Sequence, residues 1–146
     1  MPREIRTEID IHAPAERVWE VLTDFPSYPS WNPFVREISG SVALGSRLVV
    51  RLQRSGTSTM TFRPRVLAAT APIEFRWLGH LGFPGLFDGE HSFEIRPIDG
   101  GSIHFVQAES FRGLLLPLLW GSLDRNTRPM FVRMNEALRV RAEATA

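Results

Sequence analysis

The chain contains neither cysteine nor lysine. The first absence removes thiolate nucleophiles, thiolate-bound metal and disulfides together, and the second excludes Schiff-base chemistry on a lysine. Excess charge of one sign is missing as well: 17 basic residues, all of them arginine, against 16 acidic ones give a formal +1. No run of like charge marks a footprint for nucleic acid or an anionic membrane, so nucleic acid is not an expected partner. Long apolar runs are also lacking. The longest, Leu114–Trp120, is broken by Pro117 and falls far short of the roughly 20 residues that span a bilayer. Met1-Pro2-Arg3-Glu4 leads into alternating polar and apolar residues rather than an apolar signal core, which predicts a cytoplasmic protein. With 146 residues and no shift in composition, a single domain over 1–146 is expected.

What is present is periodicity. Ile5, Thr7, Ile9 and Ile11 alternate with Arg6, Glu8 and Asp10, the period-two pattern of a strand with one buried face. Pro14 suits the first position of a helix from Pro14 to Thr23, with Glu16 in its first turn and Val18, Trp19 and Leu22 as its apolar stripe. The proline-rich segment that follows, Asp24 to Phe34, predicts a short helix or ordered loop carrying Trp31. From Val35 onward the chain predicts strands in an antiparallel meander: Val35–Ser39, Arg47–Arg54, Thr57–Ala69, Ile73–Trp77, Gly89–Pro97 and Ser102–Arg112. Ser55-Gly56, Ala71-Pro72 and Asp99-Gly100-Gly101 supply turns, and Pro64 suggests an edge or bulge. Gly79–Asp88, with three glycines and Pro84, predicts a mobile loop, and Gly79–Gly89 a gate at the entrance to a site. Leu119, Leu123, Thr127, Met130, Phe131, Met134, Ala137 and Leu138 then recur at helical spacing, giving one long amphipathic helix over Leu114–Ala142. Pro129 predicts a kink near Arg125–Pro129, or two helices meeting there with Asn126 and Thr127 capping the restart.

The order of elements is α+β: about seven antiparallel strands curving around a long C-terminal helix, with two short helical pieces after strand one. A bent sheet and a straight helix cannot touch along their whole length, so a cavity between them is expected. That order, together with Ala13-Pro14-Ala15-Glu16-Arg17-Val18-Trp19, Tyr28-Pro29-Ser30-Trp31-Asn32-Pro33 and Phe131-x-x-Met134-Asn135-x-Ala137-Leu138, resembles the START-like (SRPBCC) superfamily and its polyketide cyclase/dehydrase group. The resemblance covers nearly the whole chain and implies a helix-grip fold. It also implies a deep, largely apolar pocket for lipids, polyketides, sterols or similar molecules, with no obligatory cofactor. Fold does not settle activity.

Four histidines, His12, His80, His91 and His104, show no pairing at metal-ligand spacing, so no metal site is expected. No Ser–His–Asp arrangement, phosphate-binding glycine loop or paired-carboxylate motif is present, and Asp88 and Glu90 beside Gly89 are expected to be solvated. His12 is expected to help cap the first helix, His104 to face solvent and His80 to border the glycine-rich loop. In the last strand Ile103, Phe105, Gln107, Glu109 and Phe111 share one phase, and in the strand before it His91, Phe93 and Ile95 do. The turn between them makes these sets neighbours on the inner face. Gln107, Glu109 and His91 thus form the expected polar end of a pocket whose walls are Trp31, Phe75, Trp77, Phe93, Phe105 and Phe111. Leu123, Met130 and Met134 are expected to face it from the helix. The structural alternative pairs Glu109 with an arginine, a tryptophan indole or a helix end. Binding or transport of a hydrophobic small molecule is the leading expectation. A polyketide cyclase/aromatase-like enzyme comes second, and an interaction module, which needs a large exposed apolar patch, third. In the first case Glu109→Gln and Gln107→Leu should change ligand preference more than stability.

Overall fold

A computed structural model describes residues 2–54 and 58–144. Its elements are β1 (Arg3–Ile11), α1 (Ala15–Thr23), a single 3-10 turn (Phe25–Ser27), α2 (Tyr28–Trp31), β2 (Val35–Ser39), β3 (Val49–Gln53), β4 (Thr59–Phe62), β5 (Arg65–Thr70), β6 (Glu74–His80), β7 (Asp88–Ile98), β8 (Ser102–Arg112) and α3 (Leu116–Glu143). The strands form two antiparallel sheets, β1-β8-β7-β6-β5 and β2-β3-β4. This is the expected α+β architecture, with eight strands in place of about seven. Pro64 accounts for the difference, because it lacks the N–H a continuous strand needs. The expected strand Thr57–Ala69 breaks there into β4 and β5, and the chain passes from one sheet to the other. Arg47 and Leu48, expected within a strand to Arg54, instead join the two sheets: Leu48 N–H donates to Pro64 O (2.9 Å) and Val66 N–H to Ser46 O (2.8 Å). The Ser55-Gly56 turn and Thr57 lie outside the described residues.

Pro14 does not occupy the first helical position but the cap before it, in an extended conformation with ψ 157°. His12 is not a cap either. Its N–H donates to Glu143 Oε2 (2.8 Å) and its ring lies 2.6 Å from Ser102 Oγ, which fastens the end of α3 to β1. Asp88 accepts from Gly85 N–H and contacts His80 (2.8 Å), and Glu90 accepts from Arg76 (2.8 Å), so neither carboxylate is simply solvated.

The long helix is one element through Pro129. Asn126 donates to Ser122 Oγ (3.1 Å) rather than capping a restart. Pro129 and Arg125 are both exposed, so water can reach the Arg125 carbonyl that Pro129 leaves without a donor. Burial divides the helix unevenly. Met130, Phe131, Met134, Asn135, Leu138 and Ala142 are buried, but before Met130 only Leu116 is. The C-terminal half therefore grips the sheet, while Trp120 and Leu123 stay half-buried and leave that end of the fold open.

The expected mobile loop is shorter than Gly79–Asp88, because β6 continues to His80 and Gly79 pairs with Gly89. What remains, residues 81–87, is bonded to the start of α3: Leu114 N–H donates to Gly85 O and Leu115 N–H to Leu86 O, both at 3.0 Å. Gly113 makes this approach possible, since at φ +128° an added Cβ would lie 2.5 Å from Leu86 O. Leu81, Phe83, Leu114 and Leu118 are exposed around this junction.

On the outer face of the larger sheet, His104 lies 2.5 Å from both Asp10 and Glu8. Hydrogen bonds that the ring donates to Asp10 and then to Glu8 hold the His104 pKa above its ordinary 6.5. A His whose pKa rises on folding contributes stability that is complete below the unfolded value and lost as pH rises through the folded one. His104→Gln is therefore expected to flatten the decline in stability above about pH 6.5. Urea midpoints for both proteins from pH 6 to 9 check this; parallel curves would contradict it.

Candidate functional site

The inner-face phase expected for the last two strands is realised. β7 and β8 pair His91 with Glu109 and Phe93 with Gln107, and β1 adds Thr7 opposite Gln107. Gln107 is fully buried, His91 is 3 % exposed and the Glu109 side chain 16 %. β8 carries no register shift against either neighbour, so no side chain exchanges faces.

These side chains form one hydrogen-bonded chain. Thr7 Oγ1 donates to Gln107 O (3.1 Å), Asn135 Nδ2 to Thr7 Oγ1 (2.8 Å), and Gln107 Nε2 to Asn135 Oδ1 (2.7 Å). Gln107 Oε1 faces His91 Nε2 at 2.9 Å, and His91 Nδ1 faces Glu109 Oε1 at 3.2 Å. Its direction follows from two carbonyls that only accept, Gln107 O beside Thr7 and Phe131 O at 3.4 Å from Gln107 Nε2. Thr7 must donate, so Asn135 turns its NH2 to Thr7 and its carbonyl to Gln107. Gln107 then turns its carbonyl to His91, and His91 Nε2 carries a hydrogen. One further proton must lie between His91 Nδ1 and Glu109 Oε1, because without it two lone pairs would face each other. Glu109 thus pairs with a histidine, and none of the expected partners serves. The indole N–H groups of Trp31 and Trp77 have no partner among the described residues.

Aromatic rings seal the inner part of this chain. His91 has ring contacts with Phe93 (4.6 Å), Phe131 (5.0 Å), Trp77 (5.1 Å) and Phe34 (6.4 Å). Phe75, Trp77, Phe93, Phe105 and Met134 are at most 1 % exposed and Phe111 and Met130 nearly so, while Trp31 is half-buried against Tyr28. Side chains thus occupy the space around His91 where a broad cavity was expected.

The open end lies one step further along the strands. Gly79 and Gly89 pair there and leave the inner face without side chains. A Cβ on Gly89 would come within 2.4 Å of Glu109 Oε2, and one on Gly79 within 3.0 Å of the Phe62 ring. The carboxyl and the phenyl ring therefore lie directly on a glycine floor. Phe111 stacks with Phe87 (5.8 Å) and meets Trp120 (6.3 Å). On its far side Trp120 lines a surface groove of about 300 Å³ with Arg3, Leu116, Pro117 and Gly121. A second groove, about 330 Å³, runs between Phe25–Pro29 and the β2–β4 sheet and does not reach the polar chain. Phe62, Trp120, Thr7 and Asn135 were not among the expected site residues, and Gly79, Gly89 and Phe87 were expected only as part of the gate. The signal for the glycines was available: each continues a strand phase, and glycine inside a strand marks a close approach. Gly89→Ala should displace the Glu109 carboxyl and lower affinity for a bound molecule several-fold; unchanged affinity would place the site elsewhere.

Residues 2–143 match the family described as polyketide cyclase/dehydrase and lipid transport. The chain belongs to this family. No curated protein matches it. Among solved structures it resembles a START superfamily protein from Mycobacterium smegmatis, 20 % identical with TM-score 0.76 over 96 % of this chain and 97 % of that one. Norcoclaurine synthase from Thalictrum flavum is 11 % identical, TM-score 0.76, over 100 % and 96 %. The di-domain ARO/CYC StfQ from the steffimycin biosynthetic pathway is 10 % identical, TM-score 0.78, over 98 % of this chain and 51 % of that one. At these identities the likeness shows the fold, that of the START/SRPBCC superfamily. Among the described residues of this family member no group of three or more His, Asp or Glu is arranged to hold a metal ion, and no helix is long and apolar enough to cross a membrane.

Proposed function

We propose that this polyketide cyclase/dehydrase-family protein binds a hydrophobic small molecule at the open end of the grip, beside Phe87 and Phe111, with Glu109 as its polar contact. The observation that carries this reading is the division of the Glu109 carboxyl. His91 holds Oε1, while Oε2 has no hydrogen-bond partner among the described residues and lies beside Phe111, on a side chain that is 16 % exposed. Half-buried Phe62, Phe87, Trp120 and Leu123 provide apolar walls around few polar atoms, the usual composition of a small-molecule site. The family description, which includes lipid transport, supports the same class. Native mass spectrometry of freshly purified protein should show a bound apolar molecule that organic solvent extracts. Protein that carries nothing and takes up no apolar probe would count against the reading.

The proton held between His91 and Glu109 favours a second reading, a cyclase/aromatase-like enzyme in which that pair moves a proton on a bound polyketide chain. Here Glu109→Gln should abolish turnover of a polyketide analogue while leaving its binding in place. Turnover by the variant at the wild-type rate would exclude this role for Glu109.

A further inference from the structure

Resting on the small-molecule reading above, we infer that the bound molecule offers Glu109 Oε2 a hydroxyl hydrogen, and that a carbonyl or carboxylate oxygen is not accepted at that atom. The hydrogen-bond directions lead to this class. Gln107 O and Phe131 O fix Gln107 Oε1 toward His91, so His91 Nε2–H is committed inward (2.9 Å). The remaining proton then has two possible positions. On His91 Nδ1 it makes an imidazolium facing a carboxylate; on Glu109 Oε1 it makes a neutral imidazole facing a carboxylic acid. In both, the hydrogen lies on the Nδ1–Oε1 line (3.2 Å) and Oε2 carries only lone pairs. The atom open to a ligand is therefore an acceptor in either protonation state. Thr7, His91, Gln107 and Asn135, the other polar side chains of this buried chain, are engaged with one another, so none can supply a donor to a ligand oxygen. A carboxylate or ketone placed against Oε2 would meet lone pairs with lone pairs.

The neighbouring surface suits a flat apolar body on that hydroxyl. Phe87 and Phe111 stack at an interplanar angle of 18°, and Phe111 borders the Glu109 carboxyl. Fatty acids, whose polar end is a carboxylate, fit this site poorly; phenols, enols and hydroxylated ring systems fit it.

Isothermal titration with 2-naphthol, 2-methylnaphthalene and 2-naphthoate near neutral pH tests the assignment. A hydrogen bond that only naphthol can donate predicts that naphthol binds several-fold or more tightly than methylnaphthalene, with naphthoate weakest. In Glu109→Leu the naphthol preference should vanish. In Glu109→Gln it should survive at reduced size, because the new amide can donate to His91 Nδ1 and turn its carbonyl outward in the place of Oε2. If Glu109→Leu does not fold, Gly89→Ala serves instead, since its Cβ would displace Oε2 and should weaken naphthol more than methylnaphthalene. Equal binding of naphthol and methylnaphthalene, or tighter binding of naphthoate, overturns this inference and leaves the small-molecule reading standing. Failure of all three probes to bind removes both.

Discussion

Gln107→Leu should lose about 2–6 kcal/mol of folding stability, because it strands two buried groups, His91 Nε2–H and Asn135 Oδ1, at about 1–3 kcal/mol each. Neither can turn to water: His91 is 3 % exposed and Asn135 2 %. Leucine nearly matches glutamine in size, so the loss would come from unmet hydrogen bonds rather than from a cavity. A domain with about 5–15 kcal/mol in total would be severely weakened. This reverses the expectation that Gln107→Leu acts on ligand preference more than on stability. Urea unfolding in the absence of ligand measures it, and a loss below about 1 kcal/mol would mean that the chain of bonds is not maintained in solution.

The second large effect is expected at Phe131, the fully buried ring with which α3 closes over His91 and Phe34. Truncation to alanine should cost about 3–5 kcal/mol, the transfer energy of the ring plus the cavity it leaves. Phe131 lies in the half of α3 that grips the sheet. Leu123→Ala, in the half-buried stretch, should therefore cost much less. Thermal unfolding of the two variants separates the halves, and equal losses would contradict the division of the helix into gripping and open parts.

How far this was legible in sequence depended on whether an element is shaped by its own periodicity or by its neighbours. β8 was legible to the residue, since Ser102–Arg112 is bounded by the Asp99-Gly100-Gly101 turn and Gly113, and its inward set followed from phase alone. The stripe Phe131, Met134 and Leu138 was legible for the same reason. Pro64 and Pro129 were both visible as interruptions, but their outcomes differ through tertiary context: Pro64 falls where two sheets part, while Pro129 falls on an exposed helical face where a lost backbone bond costs little. Gly79 looked like loop because composition outweighed phase, while Gly89 was expected to open a strand. Their pairing becomes apparent only once β6 and β7 are side by side. Of the site, Gln107, Glu109 and His91 were found together, but Asn135 was hidden in an apolar stripe and Thr7 in an apolar strand phase. A polar residue with a neutral side chain gives no pattern signal of its own partner.

The single direction of the bonds from Thr7 to Glu109 also constrains how this interior can change by mutation. Thr7, Asn135 and Gln107 are each donor to one partner and acceptor from another, so a single replacement among them leaves two partners unmet, whereas replacing several together with apolar groups of similar shape is nearly neutral. Single-step paths from this polar interior to an apolar one therefore cross a stability ridge, and paired steps go around it. His91→Phe combined with Gln107→Leu should be less damaging than the sum of the two single changes, a strong positive epistasis that a double-mutant cycle would register. In sequence space the five side chains behave as one inherited unit, and variation at this site is expected to arrive in blocks.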